Sequence, residues 1–299
     1  MDLLVQSYAP QPNFIRRSVH TSELLPPMTD SELAILADKV NDWDFHAGQM
    51  SHEQLIWCAT LIFEHVLDTA GPQLSRFRIP RGWSILTLLT LDQIVLFMLT
   101  VRSCYQHTNH YHNFKHAIDV LQATFQVLVL SNLISPLRSP NAPRPDVLAP
   151  LLPAGYISSI EMLALCIAAV GHDAAHPGVT NAFLAASGSS LATIFNERSV
   201  LENLHCLTIC SIIEERWPSL FSDPQGYFRR LILEMILSTD MALHFDFMAR
   251  FEALRNSISL DPIDDKQRRL ICCCLMKSAD ISNLVFSYLI IPLTKRHVH

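Results

Sequence analysis

A chain of 299 residues, 49% hydrophobic and only 17% charged, is long enough to bury a full core and too apolar for general disorder. Its formal charge of −6 argues against nucleic-acid and anionic-membrane partners, which call for a basic face. An anionic substrate would therefore need a local positive centre, and metal ions are one way to supply it.

The first residues, MDLLVQSYAPQP, have no basic n-region and no long apolar run, so a signal peptide is not expected. Residues 1–28 carry prolines at 10, 12, 26 and 27 and read as a tail or strap, with one large domain, or two closely packed subdomains, over 29–299. A helix is predicted from Thr29 or Asp30, where Leu33, Leu36 and Val40 form an apolar stripe. Trp43 to Gln49 reads as a turn. A second helix is predicted over Ser51–Leu67, with Ser51 and Gln54 as a capping box. Breaks at Gly71-Pro72 and Pro80–Gly82 precede a long helix through Leu86–Cys104. The apolar stretch Ile85–Val101 is interrupted by Asp92 and Gln93, which favours a buried helix over a membrane span.

Next comes YHNFKHAIDVLQ, residues 111–122. His112 and His116 stand four apart in a segment whose apolar residues recur at helical spacing, so one helix face would carry both imidazoles. Residues 136–153 contain six prolines and no helical period, and read as a loop that is either an exposed insertion or a lid or partner site. Helices are then predicted over Tyr156–Val170, delivering His172 and Asp173 at its end, and over Asn196–Trp217, with Glu202 and His205 on one face. Two more are predicted: Tyr227–Arg255, containing Thr239, Asp240 and His244, and Asp264 to about Val285, carrying Asp280. Strand-like alternation is absent. The predicted fold is all-α, with helices stacked around a polar centre.

Eight cysteines lie inside apolar helical patterns, with no CxxC pair. They read as reduced, buried thiols of a cytoplasmic protein. The polar groups embedded in these apolar helices are His112, His116, His172, Asp173, His176 and Asp280. Carboxylates buried without compensation are costly, so the set points to a shared cation. Imidazole and carboxylate donors without thiolate suit Zn²⁺ and other borderline or harder divalent metals. The remaining histidines have blander readings: His107 and His110 as solvated loop residues, His244 as either helix surface or functional. Glu202 taken alone would be an ordinary surface glutamate.

The motifs YHNFKHAIDVLQ, HDAAHPGVTNAF, SVLENLH, STDMALH and KSADISN, in this order, resemble those of the class I cyclic nucleotide phosphodiesterases over roughly residues 40–284. The resemblance implies a compact multi-helix metal phosphohydrolase domain. His116, His172, Asp173 and Asp280 would hold a first metal, Zn²⁺, and Asp173 would also reach a second, Mg²⁺ or Mn²⁺. A hydroxide bridging the metals would attack phosphorus, and His112 would protonate the leaving 3′ oxygen to give a 5′-monophosphate. His176, Glu202 and His205 would orient waters and ligands. Tyr111, Asn283, Thr239 and Asp240 would line the substrate site, and Asn283 fits cAMP-using members better than cGMP-using ones. The implied partner is a small cyclic nucleotide, with a homodimer left open.

Two departures stand out. The Pro-rich segment lengthens the interval between the first two motifs, which costs little closure entropy. The family's domain continues through helices that carry a purine-binding glutamine, a stacking phenylalanine and an acidic residue orienting the general acid. This chain ends 19 residues beyond Asp280, on FSYLIIPLTKRHVH, which does not resemble that continuation. A truncated or mis-spliced phosphodiesterase is therefore expected. The alternatives are an HD-type nucleotidase, or an inactive, metal-stabilised helical domain acting as a binding module.

Overall fold

The computed structural model describes residues 24–74, 90–139, 157–223, 225–257 and 264–289, and only the backbone of 70–74, 256–257 and 283–289. Among the described residues every regular element is helical, as the sequence predicts. None of these helices is long and apolar enough to cross a membrane.

The first helix, α1 (Asp30–Asn41), starts where Thr29 and Glu32 exchange hydrogen bonds in a capping box. Its last carbonyls lack intrahelical partners. Two buried glutamines supply them: Gln122 donates to Val40 and Asp42, and Gln126 to Val40. After a 3-10 turn at Ala47–Gln49, α2 (His52–Leu74) begins at the expected Ser51–Gln54 box and runs past Leu67. The short described part of the N-terminal segment is strapped onto α2, with Leu25 buried and the Trp57 indole donating to the Pro26 carbonyl. Helix α3 (Leu91–Ser103) follows, capped by Thr90; the earlier part of the predicted Leu86–Cys104 helix lies outside the described residues.

Helix α4 is Phe114–Leu130, and it corrects the sequence expectation. His112 is not on it. Asn113 takes an extended conformation and its side chain accepts the Lys115 and His116 N–H groups, so the helix starts after the cap. His112 and His116 are therefore not i and i+4 neighbours on one helical face; a loop places the first and a helix the second. The helix also ends at Leu130, before Pro136, and residues 136–139 are non-helical. The rest of the Pro-rich loop, 140–153, lies outside the described residues.

Helix α5 (Ser159–Gly171) is buried at every residue from Glu161 to Gly171, the pattern of a helix wrapped on all sides. It packs against α2, α4, α9 (Tyr227–Leu237) and α11 (Asp265–Leu289). Between them run the short α6 (Asn181–Ala186) and α7 (Ser190–Ile194), then α8 (Val200–Arg216). The predicted Asn196 start of α8 is too early, because Asn196, Glu197 and Ser199 have positive φ and cannot continue a right-handed helix. The predicted Tyr227–Arg255 helix is also broken. It divides into α9, a 3-10 turn at Met241–Leu243, and α10 (His244–Ser257). The Ser238 and Thr239 hydroxyls bond back to the Met235 and Ile236 carbonyls, and Asp240 caps the new turn. All eight cysteines are free thiols, seven of them buried.

Gly171 closes α5 against α8. A Cβ there would stand 2.6 Å from Ile209 Cγ1 and 3.0 Å from its Cβ. Alanine in a helix normally gains up to about 1 kcal/mol over glycine. Here the neighbour is β-branched and near its own backbone, so overpacking of about 1–3 kcal/mol prevails. Gly171→Ala is expected to lower the denaturant midpoint; an unchanged or higher midpoint would contradict this packing.

Candidate metal centre

The end of α5 brings His172 and Asp173 beside His116 on α4 and Asp280 on α11. His116 Nε2 lies 3.2 Å from Asp280 Oδ1 and 3.6 Å from Asp173 Oδ2. His172 Nε2 lies 3.3 Å from each of the same two oxygens. Donors bound at 2.0–2.1 Å to one tetrahedral ion would be about 3.4 Å apart, and each of these four imidazole–carboxylate distances is close to that; His116, His172 and Asp280 offer donor atoms all within 4.8 Å of one another. Two of the four donor atoms, His172 Nε2 and Asp173 Oδ2, are buried without a hydrogen-bond partner, an arrangement that leaves them available to an ion.

The backbone prepares this geometry. His172 Nδ1 faces the Ala169 carbonyl at 2.9 Å, which in the Nδ1–H tautomer turns the Nε2 lone pair toward the cluster. The negative end of the α5 dipole also points there and favours positive charge. Burial pushes the pKa of Asp173 and Asp280 up, but the facing histidines, His172 foremost, outweigh it and hold both carboxyls well below the usual range. For His172, burial lowers the pKa, and the two carboxylates outweigh it and drive it well up. The two carboxylates thus favour positive charge at the centre, which a bound cation would supply.

Around this set the structure gathers other predicted residues. His205 on α8 turns Nδ1 to the Ala174 carbonyl at 2.7 Å and Nε2 to within 3.8 Å of Asp173. His176 receives the Gly178 N–H on Nδ1 and stacks on His112, with ring centroids 4.1 Å apart and planes 11° from parallel. Burial pushes the pKa of both His176 and His205 down to about 4. Tyr111, 43% exposed, lies over the cluster with its ring 4.6 Å from that of His116. Glu202 is held by Asn181, whose amide donates to both carboxylate oxygens while its carbonyl accepts the Leu201 N–H. It is not the surface glutamate of the blander reading.

Thr239 turns its hydroxyl onto the Ile236 carbonyl, and Asp240 accepts from the Ser199 hydroxyl and the Ala242 N–H. Both stand at the break between α9 and α10. The Asn283 side chain lies outside the described residues. Sequence reasoning missed three anchoring residues. Asn181 and Lys277 sit inside quoted motifs, and Lys277 ties α11 to the Ser238 carbonyl at 2.9 Å. Asn109 sits just ahead of the first motif and bonds the carbonyls of both His112 and His176.

The sequence profile of the 3′,5′-cyclic nucleotide phosphodiesterases matches residues 111–290, a few residues past the Val285 where the sequence reading ended the family pattern. The chain is 31% identical over 245 residues to 3′,5′-cyclic-nucleotide phosphodiesterase 2 of Saccharomyces cerevisiae, covering 82% of this chain and 38% of that protein. It is 34% identical over 206 residues to the cGMP-specific phosphodiesterase 3 of Dictyostelium discoideum, covering 67% of this chain and 39% of that one. The crystal structure of yeast caPDE2 superposes with a TM-score of 0.72 at 29% identity, over 89% of this chain and 51% of that one. The chain therefore spans well under two thirds of the length of these relatives.

Proposed function

Since the chain belongs to the 3′,5′-cyclic nucleotide phosphodiesterase family, we propose that it hydrolyses a 3′,5′-cyclic nucleotide to the 5′-monophosphate. The observation that carries this reading is the convergence of His116, His172, Asp173 and Asp280 on one buried point. Residues 29–299 are the phosphodiesterase-like unit in this reading. Among substrates cAMP is favoured over cGMP, on the resemblance of Asn283 to the residue of cAMP-using members. The free thiols support a reducing compartment, and we place the protein in the cytoplasm.

His116, His172, Asp173 and Asp280 would hold the first cation, Zn²⁺ on the strength of its nitrogen and oxygen donors. Asp173 would also face a second, Mg²⁺ or Mn²⁺. Bound there, the two cations supply a hydroxide nucleophile at neutral pH and neutralise charge growing on the phosphoryl oxygens. The chain's own residues do the rest. Asp173 offers a second oxygen to the ensemble, and His205 and His176 orient the polar groups around it. As oxygen adds to phosphorus, the P–O3′ bond breaks, and the His112 imidazole gives its proton to the departing 3′ oxygen. Tyr111, on the exposed side, Thr239, Asp240 and Asn283 border the nucleotide.

The test is turnover of cAMP, cGMP and AMP by purified protein, with and without chelator and added Mg²⁺. Chelator-sensitive release of 5′-AMP from cAMP, faster than hydrolysis of cGMP, is expected, with AMP left intact. Dephosphorylation of AMP would instead make the protein an HD-type nucleotidase. Bound metal without any turnover would make it a metal-stabilised binding module.

A further inference from the structure

His112 precedes the helix cap, so α4 itself does not hold it in place. What does is visible in the hydrogen bonds around Asn109. The two amide hydrogens of Asn109 Nδ2 are both committed: one to the His112 carbonyl at 3.2 Å, the other to the His176 carbonyl at 2.8 Å. Two carbonyl partners fix which end of the carboxamide is nitrogen. The Asn109 backbone carbonyl is gripped in turn by Asn113, the α4 cap, at 2.9 Å. The carboxamide oxygen rests against Gly178, where a Cβ would come within 2.7 Å of it and where φ is +81°. Two further bonds tie the segment before Asn109 to the end of α5 and the turn after it, Tyr105 Oη donating to the Val170 carbonyl and Ala175 N–H to the Cys104 carbonyl. Those two lie nearer α5, and among the described residues Asn109 bonds the stretch where the His112 and His176 rings stack.

We propose that Asn109 is a positioning residue for proton delivery: its carboxamide clasps the two loops and so holds the His112 imidazole flat against His176, aimed at the leaving oxygen. This rests on the phosphodiesterase reading above, and adds to it the device that keeps an acid on a loop in register with ligands on helices. Loss of the clasp leaves His116, His172, Asp173 and Asp280 untouched, because none of them bonds Asn109. Misplacement of a reacting group by about 1 Å costs roughly 10²-fold in rate, so the deficit should appear in the step that needs a proton.

The experiment compares the unmodified chain with Asn109→Ala, Asn109→Asp and Gly178→Ala on two substrates, cAMP and bis(p-nitrophenyl) phosphate, whose phenolate departs without protonation. Metal content is measured on each variant. Asn109→Asp keeps the shape but sets a carboxylate against two carbonyls, and Gly178→Ala displaces the carboxamide from the far side. The expected result is a fall of about 10²-fold in kcat on cAMP, with KM within about twofold, metal content unchanged, and bis(p-nitrophenyl) phosphate turnover nearly preserved in all three variants. Equal slowing on both substrates, or no slowing on either, would overturn the clasp while leaving the hydrolase reading intact. An unmodified chain inactive on both substrates would overturn that reading and the clasp with it.

Discussion

Purified His116→Ala is expected to carry no tightly held metal and to hydrolyse cAMP at least about 10³-fold more slowly than the unmodified chain. His116 Nε2 faces both carboxylates of the centre, 3.2 Å from Asp280 and 3.6 Å from Asp173. Removing it leaves His172 as the one imidazole beside the two carboxylates and takes a nitrogen donor from the set. Several kcal/mol of charge stabilisation in the transition state go with the ion, and each 1.36 kcal/mol is about tenfold in rate. Metal analysis alongside the assay decides the matter. Full occupancy in the variant would remove His116 from the ligand set, however low the activity.

His112→Ala is expected to behave in the opposite way: metal retained, rate on cAMP lowered by about 10² to 10⁴. The His112 ring centroid is 6.4 Å from that of His116 and 4.1 Å from that of His176, so it flanks the cluster without entering it. A side chain so placed can give a proton to a departing oxygen and lies outside the set of four converging donors. The two variants together separate binding of the ion from delivery of the proton, since each should spare what the other destroys. Loss of metal from His112→Ala would merge the roles and contradict the assignment.

How much of this could be read from the sequence depended on what kind of constraint each residue obeys. The helices were legible because their apolar periods face a common core. The helix start at Thr29–Asp30 and the box at Ser51–Gln54 were legible because capping is local chemistry. The starts of α4 and α8 were not, since Asn113 and Ser199 act as caps through backbone conformations that hydrophobic periodicity does not report. The same holds for the Ser238–Asp240 break, where hydroxyls compete with the helix over a span that otherwise keeps its apolar pattern. At the centre, histidines and aspartates embedded in apolar helices announce themselves by the cost of burying them. Asn109, Asn181 and Lys277 gave no such sign. An asparagine or lysine is ordinary until its partners are known, and those partners lie 67, 21 and 39 residues away.

Sequence distance has a further consequence for the order in which the centre comes into being. His116 and Asp280 meet across 164 residues, and Asp173 precedes Asp280 by 107. At about 5–20 residues per second, a ribosome completes Asp173 roughly 5–20 s before Asp280 exists. Until then the chain carries His116, His172 and Asp173 but lacks the carboxylate that faces both imidazoles. If these four side chains bind a cation as proposed, the full donor set can form only once α11 has been made, so that helix is both a wall of the core and the carrier of the late-arriving ligand.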